Sequence, residues 1–236
     1  MSGEPDVAFI FDTDALAQIL MAQQQNLLNI LRQDFGVGCF IMMEVEVELR
    51  SKPKFSGLIK PALEKALKSG WIKLLTASDL EQLACLQGQG PVTLADIRAL
   101  GAEYALYVQR GEAYTHAAAV LLGSPAISND LNAIRVLESN GKALPPTVLR
   151  SFDMFAFLHL EEYLDVKSVE QIRTILMSYS EWIPAPMRTS SFVQGLAGWD
   201  CRLSTSLATS ASASGWAENF YLKRKTQRPS QNADGS

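Results

Sequence analysis

Two short stretches of this chain end an apolar run on acids. In V-A-F-I-F-D-T-D-A-L, residues 7–16, the run from Val7 to Phe11 stops at Asp12 and Asp14, one threonine apart, before a second apolar run begins. In A-I-S-N-D-L, residues 126–131, Ala126 and Ile127 give way to Ser128, Asn129 and Asp130. An apolar run followed by polar residues and then by helical spacing reads as a buried strand passing into a helix. Acids at that junction stand at the strand's carboxyl end, the edge of an open parallel sheet where ligands bind, and suit a metal or phosphate site. The same residue in the same place also caps a helix, because an aspartate oxygen accepts from the free amides of the first turn. Both readings stand at this point.

Placing these acids takes alternating strands and helices, and the chain has them in order. Residues 15–33 read as one helix closing before Gly36 and Gly38, followed by a strand over Cys39–Met42 and a helix from Met43 to Arg50. On that helix Glu44 and Glu48 share a face, whereas Glu46 points elsewhere and reads as solvated. A short helix around Pro61, a strand over Trp71–Leu75 and helices over 76–86 and 93–110 follow, with Thr93 and Asp96 spaced as a capping box. Gly111 punctuates, and E-A-Y-T-H-A-A-A-V-L-L forms a compact helix up to Gly123. A further strand is read at Lys142–Leu144, a helix over 147–164 and another from Ser168, with Ser168 as its cap. The class is α/β, with a central, mostly parallel sheet flanked by helices. Residues 1–180 read as one domain. Residues 181–236, rich in serine, alanine and glycine without periodicity, read as a low-complexity and poorly ordered extension.

Bulk properties narrow the chemistry. A net charge of −4 and a pI near 5.3 leave no global basic footprint, so a nucleic-acid partner must be held by metal ions or a local patch. Lys223, Arg224, Lys225 and Arg228, with Phe220 and Tyr221 nearby, form the one candidate patch for a phosphate backbone, against the plainer reading of a solvated end. The three cysteines are far apart and fit neither a disulfide framework nor a zinc site. The two histidines, His116 and His159, form no metal motif. No apolar stretch approaches the ~20 residues of a membrane span, and the N-terminus has no secretory pattern, which points to the cytoplasm. Phosphate-cradling glycine loops and a nucleophile elbow are absent, leaving carboxylate chemistry.

Four stretches in order, F-I-F-D-T-D-A-L, E-V-E-V-E-L-R, R-G-E-A-Y-T-H-A and I-S-N-D-L-N-A-I-R-V-L, resemble the PIN-domain family of metal-dependent nucleases, over roughly Val7 to Leu164. The resemblance implies a PIN-like fold and four acids, Asp12, Glu48, Glu112 and Asp130, as catalytic and metal-holding residues. Thr13, Asp14, Ser128 and Asn129 would support them. Asp14 departs from the asparagine usual in the family, and Tyr114 stands where relatives often carry another acid. Glu44 is a substitute ligand, and His116, four residues after Glu112, reads as a packed or exposed histidine, with contact to the site as the alternative reading.

The implied cofactor is Mg²⁺ or Mn²⁺, since oxygen-only donors select such ions. The implied reaction is phosphodiester hydrolysis, in single-stranded RNA or alternatively in DNA. Each acid also has a purely structural reading: Asp130 as a helix cap, Glu112 as a favourable charge at a helix start, and Glu48 as a surface partner of Arg50. Other readings are a catalytically silent binding module and a haloacid-dehalogenase-like phosphatase with Asp12 as nucleophile, for which no suitable lysine is found. An inhibitory antitoxin-like partner and a homodimer remain open.

Overall fold

Five short apolar segments pair into one sheet in the order β3-β2-β1-β4-β5, every neighbouring pair parallel. The computed structural model describes residues 7–51, 57–86, 90–179 and 181–197. The strands are β1 (Val7–Phe11), β2 (Val37–Ile41), β3 (Lys73–Leu74), β4 (Ala126–Ile127) and β5 (Val148–Leu149). Covered on both faces, β1 and β2 need apolar side chains all along: Ala8 to Phe11 are fully buried, and so is every residue of β2. The chain winds outward from β1 to β2 and β3, then returns to β4 on the other side of β1. The reversal point lies between β1 and β4, whose carboxyl ends carry Asp12 and Ser128.

The helix predicted over residues 15–33 is two helices, α1 (Thr13–Met21) and α2 (Asn26–Phe35). α1 closes with Gln23 in the left-handed region (φ 56°), its N–H on Leu20 O and the Gln24 N–H on Ile19 O. This Schellman closure usually falls on glycine, so the Q-Q-Q run carries no stop signal. α3 (Met43–Ser51) follows β2 as expected, and α4 (Ile59–Lys68), α5 (Ala77–Leu86) and α6 (Leu94–Tyr104) complete that half. The Thr93/Asp96 capping box is present at the start of α6.

Four further expectations are corrected. The strand read at Lys142–Leu144 lies instead beyond Pro145 and Pro146, at β5, where Thr147 O and Leu149 O accept from the Ala126 and Ser128 amides. The helix after it, α9 (Ser151–Leu160), therefore starts at Ser151, where the Arg150 N–H donates to Asp153 Oδ2 at 2.8 Å. α10 (Val166–Ser178) is capped by Asp165, whose Oδ1 accepts from the Ser168 N–H, so Ser168 is the recipient and not the cap. Lastly, residues 181–197 belong to the packed body. α11 (Ala185–Thr189) and α12 (Phe192–Leu196) bury Met187 and Phe192 completely, and Gln18 of α1 donates to Trp182 O at 2.9 Å. The remainder of the expected extension, including Lys223, Arg224, Lys225 and Arg228, lies outside the described residues. Among the described residues no helix is long and apolar enough to cross a membrane.

Candidate active site

Three helix N-termini meet the carboxyl edge of the sheet, and an acid stands at each. α1 begins directly after β1 and is capped by Asp12 itself, whose Oδ1 accepts from the Thr13 N–H. α8 (Leu131–Ser139) follows β4 and is capped by Asp130, whose Oδ1 accepts from Asn132 N at 2.7 Å and Ala133 N at 3.3 Å. α7 (Arg110–Leu121) precedes β4 and runs antiparallel to it, so its N-terminus reaches the same edge. Its cap residue, Gln109, makes no side-chain cap. Instead Glu112 takes a hydrogen bond from the Gln109 backbone, and Glu48 reaches across from α3 to accept from Gly111 N at 3.0 Å. The capping and site readings of Asp12 and Asp130 thus describe the same atoms, because an exposed helix start attracts any anion.

The acids are linked to one another. Ser128 Oγ donates to Asp12 Oδ2 at 3.3 Å across the reversal point, and the Asp130 N–H donates back to Ser128 Oγ at 3.3 Å. Thr13 Oγ1 donates to Glu48 Oε2 at 2.8 Å. Glu112 shares a hydrogen bond with Asp130. The surface role read for Glu48 is thereby replaced, since Arg50 pairs with Glu46 at 2.8 Å and Glu64 at 3.3 Å. Glu46 is ion-paired where solvation was expected, and Glu44 lies 3.9 Å from Arg110.

Burial and like charge act together on this cluster. Desolvation, followed by repulsion from Asp14, raises the Asp12 carboxyl to about 7. Desolvation, followed by Asp12 and Asp130, raises Glu112 to about 8. Two carboxylates about 4 Å apart repel by roughly 4 kcal/mol at an effective dielectric of about 20, so such a cluster gains from protons or from a cation.

No family model, curated protein or solved structure matches the chain.

The donor set tests whether a divalent ion suits the residues present. It is carboxylate and hydroxyl oxygen, which is the chemistry of a hard cation. Among the described residues no three His, Cys, Asp or Glu side chains are already grouped to hold a metal ion. The donors fit Mg²⁺ or Mn²⁺ by type.

Sequence reasoning missed two residues, Gly111 and Ser151, and left the place of His116 open. Gly111 is not punctuation but sits inside the first turn of α7: a Cβ there would lie 2.7 Å from Thr13 Oγ1 and 2.9 Å from Glu48 Oε2. Ser151 donates from its N–H to Asn129 Oδ1 at 3.1 Å, while its single hydroxyl proton, 2.6 Å from Gln18 Oε1 and 3.1 Å from Asn129 Oδ1, goes to the nearer Gln18 oxygen, which fixes the S-N-D loop from behind. His116 is fully buried, and neither ring nitrogen has a partner in the protein. The R-G-E string held a signal for Gly111. Nothing local marked Ser151 or the state of His116.

Proposed function

We propose that the chain is a PIN-like, Mg²⁺- or Mn²⁺-dependent nuclease that hydrolyses phosphodiester bonds, with single-stranded RNA as the favoured substrate. The observation that carries this reading is the gathering of Asp12, Glu48, Glu112 and Asp130 at the reversal point of an all-parallel sheet, with Asp12 and Glu112 raised by burial and mutual repulsion. Asp12, Glu48, Glu112 and Asp130 would hold the ion. When bound, a divalent ion acidifies a water and neutralises charge on a phosphoryl oxygen.

The chain's own groups do the rest. Ser128 orients the Asp12 carboxylate through its hydroxyl, and Thr13 with Gly111 fixes Glu48 beside it. The N-termini of α1, α7 and α8 present partial positive charge to the same edge, which favours an incoming phosphate. Asn129 is locked by Ser151 through its oxygen and keeps a buried amide nitrogen without a partner in the protein. An acidic protein can accept a polyanion at such a place because a bound ion reverses the local charge.

The test is cleavage of end-labelled single-stranded RNA and DNA by the purified chain with Mn²⁺, Mg²⁺ or EDTA, alongside Asp12→Asn and Asp130→Asn. Metal-dependent cleavage in wild type, lost in both variants, is expected. A second reading, a silent binding module, draws on the capping duties of Asp12 and Asp130. Absence of cleavage with every metal, from folded protein, would favour it.

A further inference from the structure

His116 stands one helical turn beyond Glu112 on α7, and residues four apart share a helix face. That face is turned to the sheet: the hydroxyl of Thr115, between the two, donates to Phe11 O at 3.4 Å, next to Asp12. The imidazole is fully buried, and both Nδ1 and Nε2 lack a partner in the protein. Burial lowers its pKa to about 4, with Asp130 as the one charged group acting on it. A neutral imidazole carries one donor and one acceptor, and a buried polar group goes unpaired only where something outside the chain completes it. Asp130 Oδ1 is engaged by the α8 amides, and the same carboxyl shares a hydrogen bond with Glu112.

We propose that His116 is a positioning residue for Asp130, its ring N–H holding the Asp130 carboxylate in a cation-binding orientation through one buried water. The water matches the unmet donor and acceptor of the ring, and internal waters occupy such polar sites in folded proteins. This role rests on the nuclease reading above and deepens it. It places the groups that aim a ligand carboxylate behind the ligand, where their loss is felt in metal affinity.

The experiment uses the full chain labelled with ¹⁵N-histidine. Only His116 and His159 are present, so His159→Gln assigns both rings. In long-range ¹H–¹⁵N spectra His116 is expected as one neutral tautomer whose nitrogens shift when MgCl₂ is added, while those of His159 do not. In parallel, Mn²⁺ affinity by calorimetry should weaken roughly tenfold to a hundredfold in His116→Phe. His116→Gln, which keeps a donor, should recover most of that loss. A merely structural histidine would instead change thermal stability and leave the Mn²⁺ affinity of the folded protein alone. Unmoved His116 resonances in a protein that binds Mg²⁺, or wild-type Mn²⁺ affinity in His116→Phe, would overturn this role and leave the nuclease reading intact. Failure of the wild type to bind either ion would overturn both. If His116→Phe does not fold, the Mg²⁺ titration decides.

Discussion

The backbone N–H of Gly111 donates to one oxygen of Glu48 at 3.0 Å, while the Thr13 hydroxyl holds the other oxygen at 2.8 Å. A single carboxylate thus ties the starts of α7 and α1 to α3, and it does so through a residue without a side chain. Alanine at a helical glycine normally stabilises by roughly 0.5–1 kcal/mol. At Gly111 the added Cβ would meet Thr13 Oγ1 at 2.7 Å and Glu48 Oε2 at 2.9 Å, and the Glu48 tip is the group able to yield. Gly111→Ala is therefore expected to leave thermal stability within about 1 kcal/mol of wild type, the two effects offsetting. Mn²⁺ affinity, measured by calorimetry, should fall. Unchanged affinity would remove Glu48 from the site.

The pH dependence of stability has a defined sign. Asp12 is raised from 3.8 to about 7 and Glu112 from 4.5 to about 8. The folded protein then holds protons that the unfolded chain has released, so the stability these groups contribute is present at low pH and lost as pH rises through their folded values. His116 is lowered from 6.5 to about 4, and its effect has the opposite sign, confined to pH below 6.5. Between about pH 6.5 and 8 only the carboxyl effect remains, and Tm without metal should fall across that window. Millimolar Mg²⁺ should restore Tm at pH 8 and do little at pH 5, where protons already occupy the acids. A Tm at pH 8 that ignores Mg²⁺ would sink the metal site.

Asp12→Asn separates folding from function. Asparagine caps a helix as well as aspartate does and keeps an oxygen for the Thr13 amide, while the repulsion from Asp14 and Glu48 disappears. In denaturant titrations at pH 8 without metal, the variant should be more stable by about 1–2 kcal/mol. It should also lose the Mg²⁺-dependent gain. Destabilisation would mean that Asp12 is mainly a structural anion.

The C-terminal helices provide a test that does not depend on the site. A Cβ on Gly195 would lie 2.5 Å from Met187 Cγ and 3.1 Å from the Met187 backbone, which cannot move aside cheaply. Gly195→Ala should destabilise the protein by about 1–3 kcal/mol in a denaturant titration. A neutral effect would return residues 185–196 to the loose extension read from composition.

By itself the sequence determined the strand-to-acid junctions, because apolar runs ending at Asp12 and Asp130 are local patterns that need no partner to be read. It also determined the placement of α3 and α7, and with them the acids at Glu48 and Glu112. Where a local signal was missing, the reading failed. A glutamine took the left-handed position that ends α1, and Asp165 capped α10 in place of Ser168. β5 settled beyond the prolines because β4 presents partners only there, and composition could not show that Met187 and Phe192 find a buried surface waiting for them. Only the tertiary structure decided that Asp12 and Ser128 face each other across the sheet reversal, that Gly111 makes room for Glu48, and that His116 is buried without a partner. Each of these depends on residues far apart in sequence meeting at a few ångströms, and spacing along the chain carries no such distance.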